Sequence, residues 1–231
     1  SEGAHAPSRS YKPSSMKCIR NMFFQKTGEK TDDERNSSEL VGICESGSDR
    51  HQRIQNAVLH MKQLGMDCEY INVAEFVKEK GLDYLEIVKY PDPENGEFET
   101  KLYHKVLDIS FLCDGIILYK GEYYILEIKT ESIYKWQFRE GVAEEHIPQG
   151  TCYSLCFNIN KVLFLYECRD NCSKKAYMLN ITDDMKYEVL SKIEECDGYV
   201  KRLTAPPKPK DIDKKTCTYC KYKGACRKAG N

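Results

Sequence analysis

The chain has 231 residues, of which 41% are hydrophobic and 31% are charged. This length suits one large domain whose buried core needs no disulfides. The 35 basic and 36 acidic residues leave a net charge of −1, which argues against a uniformly basic DNA coat but permits a local basic groove. No apolar run approaches the roughly 20 residues that span a bilayer, and the N-terminal residues have no apolar stretch typical of a signal peptide. We therefore expect no membrane association and a reducing, cytoplasmic or nucleoid location.

Helices are predicted in the first third of the chain, where apolar residues recur at helical spacing. The first starts at the Ser14–Ser15 pair, which offers side-chain caps. The second is ended by Gly65. The predicted ranges are from 14 onward, from 46 or 48 to 64, and 72–80.

Strands dominate the middle of the chain, with predicted ranges 84–90, 106–112, 115–119, 123–129 and 161–168. The segment 123–129, YYILEIK, is apolar until it meets Glu127 and Lys129, as in a strand buried on both faces. Further helices are predicted over 140–158, where Pro148 starts or kinks the helix, and over 185–203. The predicted class is α/β.

Composition divides the chain into three parts. Residues 1–13 are polar with two prolines and are expected to form a flexible tail. Residues 14–204 are predicted to be the folded core. The proline-rich connector APPKPKD opens the last part, residues 205–231, which carries a cluster of cysteines.

Asp114, Glu127 and Lys129 form the densest chemical signal. Glu127 and Lys129 are two residues apart on one predicted strand, so both side chains point to the same face. A turn at 120–121 makes the strand after Asp114 an antiparallel neighbour, which brings Asp114 close to Glu127. Two buried carboxylates favour a hard cation such as Mg²⁺ or Mn²⁺. The pattern predicts phosphodiester hydrolysis with a metal-held water. The alternative is an ordinary Glu–Lys pair beside an Asp-Gly turn.

Other residues occur in a characteristic order around this triplet. His51 lies near the start of a predicted helix, and Gln149 and Tyr153 lie one helical turn apart. The whole order resembles the RecB-like branch of the PD-(D/E)XK nuclease superfamily, whose motif runs histidine, aspartate, E-x-K and Q-x-x-x-Y. One departure is that a cysteine, Cys113, stands where proline usually precedes the aspartate.

This resemblance implies a restriction-endonuclease-like α/β fold, with a mixed central sheet flanked by helices, and specific roles for the motif residues. Lys129 would be catalytic, together with Asp114 and Glu127. Gln149 and Tyr153 would contact the DNA strand or support the site. The implied ligands of Mg²⁺ or Mn²⁺ are His51, Asp114, Glu127 and the backbone carbonyl of Ile128.

The chain has 12 cysteines, and three of them form a C-x2-C-x5-C motif, Cys217, Cys220 and Cys226. This spacing suits thiolates around one metal centre, with Cys18 as the best candidate for a fourth ligand. The context of Cys18, PSSMKCIR, resembles that in the iron–sulfur nucleases AddB and the CRISPR-associated Cas-four exonucleases. The resemblance implies an iron–sulfur cluster, most often [4Fe–4S], that holds the C-terminal segment on the first helix. Zinc is the chemical alternative, because four thiolates suit it equally.

Basic and aromatic residues interleave near the predicted site, where Arg50 and Arg53 flank His51 and Trp136 follows the E-x-K strand. Such interleaving suits single-stranded DNA, and a solvated face with buried aromatics is the alternative. The resemblance implies a DNA exonuclease acting on single-stranded ends, 5′ to 3′, in recombination, repair or CRISPR-type spacer processing. A helicase, recombination or CRISPR integration protein is an expected partner. The competing hypothesis is a catalytically weak DNA-binding or assembly module with a metal staple.

Overall fold

The computed structural model describes residues 9–32 and 50–230. The strands in these residues are β1 (Cys68–Ile71), β2 (Leu85–Lys89), β3 (Thr100–His104), β4 (Ile109–Cys113), β5 (Gly115–Tyr119), β6 (Glu122–Glu131), β7 (Lys161–Cys168) and β8 (Lys174–Asn180). The helices are α1 (Ile19–Thr27), α2 (50–60), α3 (Val73–Glu79), α4 (Ile133–Trp136), α5 (Ile147–Phe157), α6 (Asp183–Lys201), α7 (Lys214–Thr218) and α8 (Lys223–Lys228). None of the helices in this part of the chain is long and apolar enough to cross a membrane.

A five-stranded mixed sheet in the order β1-β5-β6-β7-β8 forms the centre of the fold. Its parallel pair is β6 and β7, which α5 connects, and the other neighbours are antiparallel. A second, antiparallel sheet has the order β2-β3-β4. β4 ends at Cys113 and β5 begins at Gly115. The chain therefore passes from the small sheet to the central sheet at Asp114.

Helices cover both faces of the central sheet. On one face, α1, α5 and α6 contribute to the larger apolar core, which includes Ile125 of β6. On the other face, Ile54 and Val58 of α2 pack with Leu126 and Ile128 of β6. Successive strand residues point to opposite faces, so a strand segment covered on both sides is continuously apolar, as β6 is from Tyr123 to Leu126. The predicted α/β class, with a mixed central sheet flanked by helices, is confirmed.

The predicted turn between β5 and β6 is confirmed at Lys120 and Gly121. Their φ angles are 49° and 78°, so both lie in the left-handed region that two-residue hairpin turns require. The hairpin register pairs Gly115 with Leu126. Asp114 and Glu127 are therefore placed side by side at the end of the hairpin.

Some predicted boundaries were wrong. The strand predicted at 106–112 begins only at Ile109, because residues 105–108 form a turn in which Asp108 has a φ of 53°. The helix predicted from 140 begins at Ile147, since Pro148 occupies its first turn, where its missing N–H costs nothing. Gly65 ends the second helical segment as predicted, with a φ of 80°. The predicted start of that segment, at 46 or 48, lies outside the described residues.

The predicted flexible tail, residues 1–13, is wrong at its carboxyl end. Tyr11 is fully buried, its hydroxyl donates to Asp197 at 2.6 Å, and its backbone N–H donates to the carbonyl of Asp108. A short 3-10 turn at Pro13–Ser15 follows, and α1 starts only at Ile19. One aromatic residue among polar neighbours has no periodic pattern, so the sequence did not reveal this packing. Residues 1–8 lie outside the described part of the chain.

The C-terminal segment packs on α1. The buried Arg20 side chain donates from Nε to the carbonyl of Pro206 at 2.8 Å and from Nη1 to the carbonyl of Cys226 at 3.1 Å. The Gln25 side chain accepts from Lys221 and from the hydroxyl of Tyr222. The predicted contact between the C-terminal cysteine segment and the first helix is confirmed.

Candidate active site and cysteine centre

Asp114 is buried at the junction of the two sheets and is held from several sides. Its backbone carbonyl accepts from Nε2 of Gln55 at 2.8 Å and from the hydroxyl of Tyr70 at 2.7 Å. Its Oδ2 accepts the backbone N–H of Ile128 at 2.7 Å. Only glycine fits at Gly115, because a Cβ there would lie 2.6 Å from the Tyr70 ring. These contacts fix the Asp114 carboxylate against β6.

Glu127 and Lys129 lie on the same face of β6, and both meet Gln149 of α5. Lys129 Nζ donates to Glu127 Oε1 and to Gln149 Oε1, each at 2.9 Å. Gln149 Nε2 donates to Glu127 Oε1 at 3.1 Å and to the hydroxyl of Tyr153 at 3.0 Å. The structure therefore brings four residues of the predicted site into one hydrogen-bond network.

The surroundings of Glu127 and His51 shift the pKa values of both groups. Burial raises the pKa of Glu127 to about 7; Lys129 opposes this rise, and the charge of Asp114 adds to it. Burial lowers the pKa of His51, but the hydrogen bond and the charge of Asp114 outweigh it, so the net pKa is raised. Both pKa values thus respond to the charge of Asp114.

His51 also reaches the site, with Nδ1 at 3.4 Å from Oδ1 of Asp114. Beside it lies Glu99, which the sequence analysis missed. Ligand atoms of His51, Glu99 and Asp114 all lie within 4.8 Å of one another, which is the only such His/Cys/Asp/Glu group in the described ranges. Thr100 of β3 pairs with Cys113 of β4 in an antiparallel register. Glu99, which precedes Thr100, is therefore placed beside Asp114, which follows Cys113. No local pattern in the sequence marks Glu99, because this contact depends on strand register.

Ile128 sits between the two charged residues of β6. Its side chain is buried under α2, and its backbone N–H is already used by Asp114. Metal ligation by its backbone carbonyl stays a prediction.

Arg50 and Arg53 project from α2 towards the fully buried carboxylate of Glu167 on β7. Arg53 Nη2 lies 2.7 and 3.0 Å from the two carboxylate oxygens, and Arg50 Nη1 lies 3.3 Å from Oε1. Trp136 is half-buried, with Nζ of Lys175 4.4 Å from the centroid of its ring. The predicted DNA contacts of Arg50, Arg53 and Trp136 therefore stay predictions, and each of these side chains also has a partner within the protein.

A cavity of about 390 Å³ opens beside Lys129. Lys135 and Arg169 line it together with Tyr219 of the C-terminal segment. His146 also lines it, and burial with help from the charge of Lys129 lowers the pKa of its imidazole to about 3. His146 is therefore neutral at physiological pH. The cations of this cavity are Lys129, Lys135 and Arg169, and the buried carboxylate of Glu131 also lines it, 3.6 Å from Nζ of Lys135.

The four cysteines predicted as ligands line one cavity of about 570 Å³ between α1 and the C-terminal helices; they are Cys18, Cys217, Cys220 and Cys226. Nη1 of Arg20 donates to the sulfur of Cys226 at 3.3 Å, and Nδ2 of Asn21 donates to the sulfur of Cys220 at 3.7 Å. Burial raises the pKa of Cys18 above that of a free thiol. Four thiols around a cavity, with donors aimed at two sulfurs, fit a group bound by thiolates.

The separation of these sulfurs bears on which group fits. In the described chain, no three of the four lie within 4.8 Å of one another. Tetrahedral zinc with bonds of about 2.3 Å would hold its sulfurs about 3.8 Å apart. In the described residues, the four sulfurs are therefore not gathered as closely as the ligands of a tetrahedral zinc ion would be. No disulfide joins the cysteines of the described ranges.

No protein-family model and no curated protein matches this sequence. Among solved structures, the crystal structure of SSO0001 has a TM-score of 0.48 and 15% identity, covering 96% of this chain and 88% of that chain. LHK-Exo in complex with dAMP has a TM-score of 0.41 and 11% identity, covering 86% of this chain and 93% of that chain. LHK-Exo is an alkaline exonuclease from Laribacter hongkongensis. Likenesses this distant carry no conclusion about the activity of this chain.

Proposed function

We propose that this protein is a Mg²⁺- or Mn²⁺-dependent deoxyribonuclease that degrades single-stranded DNA from its ends by hydrolysis. The observation that carries the proposal is the network of Glu127, Lys129 and Gln149 beside the buried Asp114. A structural ion pair needs one carboxylate for one lysine. Here a second buried carboxylate lies next to the pair, at a cost that a bound cation offsets.

The residues present fit a hard divalent cation. Asp114, Glu127 and the carbonyl of Ile128 offer oxygen ligands, and His51 lies at the edge of the same site. A cation bound there would supply an activated water and stabilise negative charge on the phosphate. Burial, and then the charge of Asp114, raises the pKa of Glu127, and a cation bound there would favour the ionised carboxylate.

The chain's own side chains have separate tasks in this proposal. Lys129 keeps its ammonium at a fixed position between Glu127 and Gln149, where it can orient the attacking water or stabilise charge on the phosphate. Gln149 sets that position by contacting both partners of the ion pair. Tyr153 accepts a hydrogen bond from Gln149 and so holds the amide in one orientation.

The cavity beside Lys129 supports single-stranded DNA as the substrate. Lys135 and Arg169 provide charge for phosphates, and Tyr219 provides a ring for a base. Polarity from 5′ to 3′ and a partner that supplies single strands, such as a helicase, recombination or CRISPR integration protein, belong to the same proposal.

We also propose an iron–sulfur cluster at the four-cysteine cavity. Cys18 lies directly before α1, and the other three cysteines lie in the C-terminal segment. A cluster bound by all four would fasten the two ends of the described chain together, so that its binding energy stabilises the fold. Its proposed role is structural.

The test is degradation of oligonucleotides labelled at either end, single-stranded or duplex, with Mn²⁺ or Mg²⁺. Asp114→Asn and Glu127→Gln are expected to reduce the rate by roughly 10³-fold or more, with successive shortening from one end in the wild type. Glu122→Gln is the matched control, because it removes a carboxylate from the exposed start of the same strand. If the site variants degrade DNA at the wild-type rate, the assignment is wrong and the non-catalytic DNA-binding module is favoured.

A further inference from the structure

His146 lines the cavity beside Lys129, although the nuclease motif does not include it. The residue directly precedes α5 and is half-buried. Its imidazole ring is nearly parallel to the ring of Phe164, with an interplanar angle of 5° and centroids 6.1 Å apart. The ring of Tyr166 is stacked on it as well, with centroids 5.8 Å apart. This packing holds the imidazole in one plane, so the role of each ring nitrogen follows from its partner.

The hydrogen-bond partner of His146 Nδ1 is the hydroxyl of Tyr166, at 2.8 Å. The same hydroxyl oxygen accepts the backbone N–H of Ala143 at 3.1 Å. Tyr166 is fully buried, and within the described residues Nδ1 is the only acceptor in contact with its hydroxyl. The hydroxyl therefore donates to Nδ1, because a buried O–H without an acceptor is costly. Burial, helped by the charge of Lys129, lowers the pKa of His146 to about 3, so the neutral imidazole carries its own hydrogen on Nε2.

Two donors that line this cavity have no hydrogen-bond partner among the described residues. One is the Nε2–H of His146, since the hydrogen bond of this imidazole is made by Nδ1. The other is the guanidinium of Arg169, because the hydrogen bonds of this residue are made by its backbone N–H and carbonyl. The carboxylate of Glu131 in the same cavity is compensated by an ion pair with Arg139. The described part of the cavity therefore presents one unpaired cation and one neutral N–H to a ligand.

We propose that His146 and Arg169 bind one phosphate of a single-stranded DNA chain, next to the phosphate that is hydrolysed at Lys129. Arg169 supplies the charge, and its guanidinium can donate two parallel hydrogen bonds to one phosphate. His146 adds a neutral donor from Nε2, which contributes direction without a further charge. A second fixed phosphate sets the register of the strand against Lys129 and so positions the scissile bond for attack. The inference rests on the proposed nuclease function and names where the adjoining part of the strand is held.

The experiment measures binding of a fluorescein-labelled oligothymidylate of about 12 nucleotides, within the usual site sizes for single strands, to the full chain in chelator over a range of salt concentrations. Fluorescence anisotropy gives the binding constant. His146→Asn should weaken binding about tenfold, which is the effect of one lost hydrogen bond to a charged group. The plot of the logarithm of the binding constant against the logarithm of the salt concentration should keep its slope, since a neutral donor releases no counterion. His146→Gln can place an amide N–H near the position of Nε2 and should recover part of the affinity.

Three further variants complete the comparison. Arg169→Gln removes one positive charge, so it should weaken binding and make the salt plot less steep, by the amount that about one phosphate contact contributes. Tyr166→Phe removes the hydroxyl that fixes the hydrogen of His146 on Nε2 and should weaken binding by less than His146→Asn does. His60→Gln, at an exposed position of α2, is the matched control and should bind as the wild type does. Thermal unfolding checks each variant for folding.

The outcomes separate this inference from the nuclease proposal. Wild-type affinity in His146→Asn would overturn the inference, and so would a less steep salt plot for that variant, because the imidazole would then act as a cation. An equal loss in His146→Asn and His146→Gln, with a lowered unfolding temperature in both, would overturn it as well, since the residue would then act only on the fold. Each of these results leaves the nuclease proposal standing if the wild type degrades DNA in Mn²⁺. A wild type that does not bind the oligothymidylate would overturn the inference, and one that also degrades no DNA would overturn both proposals.

Discussion

The Nζ atom of Lys129 lies 2.9 Å from Oε1 of Glu127, and the Gln149 amide contacts both side chains. The amide oxygen of Gln149 accepts a hydrogen bond from the Lys129 ammonium, and the amide N–H donates one to the Glu127 carboxylate. One side chain from α5 thus aligns two residues of β6. This arrangement leads to a first prediction about the lysine.

Lys129→Ala should reduce DNA hydrolysis by about 10²- to 10⁴-fold, which is the range for one positioned charged or proton-transferring group. Lys129→Arg should recover only part of the rate, because a planar guanidinium does not place its charge where the ammonium lies. The measurement is the initial rate on a labelled single strand in Mn²⁺. Lys78→Ala, an exposed lysine of α3, is the control. Equal rates for Lys129→Ala and the control would contradict the role of the lysine.

A second prediction concerns pH and uses the pKa of Glu127, which burial raises to about 7. In the unfolded chain this carboxyl ionises near its ordinary value, so between that value and about 7 the folded state holds the extra proton. Stability of the metal-free protein should therefore fall as pH rises through this window. The expected loss is on the order of 3 kcal/mol, or roughly 5–10 °C in the unfolding temperature.

Glu127→Gln isolates this contribution, because it removes one titrating carboxyl and keeps the hydrogen-bonding shape. The difference in unfolding temperature between the variant and the wild type should grow from pH 5 to pH 8 in chelator and shrink when Mn²⁺ is added. A constant difference across this range would show that Glu127 ionises in the folded protein as it does in water.

The central part of the site could be predicted from the sequence because its geometry is local. Glu127 and Lys129 share a strand, Gln149 and Tyr153 share a helix turn, and a two-residue hairpin brings Asp114 to Glu127. Glu99 could not be predicted in this way. Its position depends on the register between β3 and β4, and β3 itself was not predicted.

The fold shows the same division between local and long-range information. β6 and β7 were predicted because strands buried on both faces are continuously apolar. β8 lies at the edge of the central sheet and alternates exposed with half-buried residues, and β1 at the other edge has only half-buried residues. Both edge strands were missed, since neither carries a run of buried apolar residues.

A third prediction tests whether Arg50 stabilises the fold through its contact with Glu167. This side chain contacts Glu167, which is fully buried, and donates to the carbonyl of Arg169 at 2.7 Å. Arg50→Ala should lower the free energy of unfolding by about 1–3 kcal/mol, because a buried carboxylate loses one of its cations. Combining Arg50→Ala with Glu167→Gln should recover part of that loss in a double-mutant cycle. Denaturant unfolding measures the effect.

The competing outcome for Arg50→Ala is an effect on DNA binding alone. If the residue acts only on DNA, Arg50→Ala should leave the free energy of unfolding unchanged and weaken binding to single strands at low salt. A plot of the logarithm of the binding constant against the logarithm of the salt concentration would then be less steep, by the amount that about one phosphate contact contributes. Measuring both quantities on one preparation decides between the two roles.

The last prediction concerns the cysteine centre. Protein purified without oxygen should be brown and absorb near about 400 nm, as thiolate-bound iron–sulfur clusters do. Cys226→Ala should abolish the colour and lower the unfolding temperature, because its sulfur lies beside Arg20 of α1 and belongs to the segment packed there. Cys172→Ala is the matched control, since this cysteine is exposed and lies far along the chain from the motif. Colourless wild-type protein with one bound zinc would contradict the cluster and leave the nuclease site untouched, whereas loss of colour in the control as well would contradict the assignment of ligands.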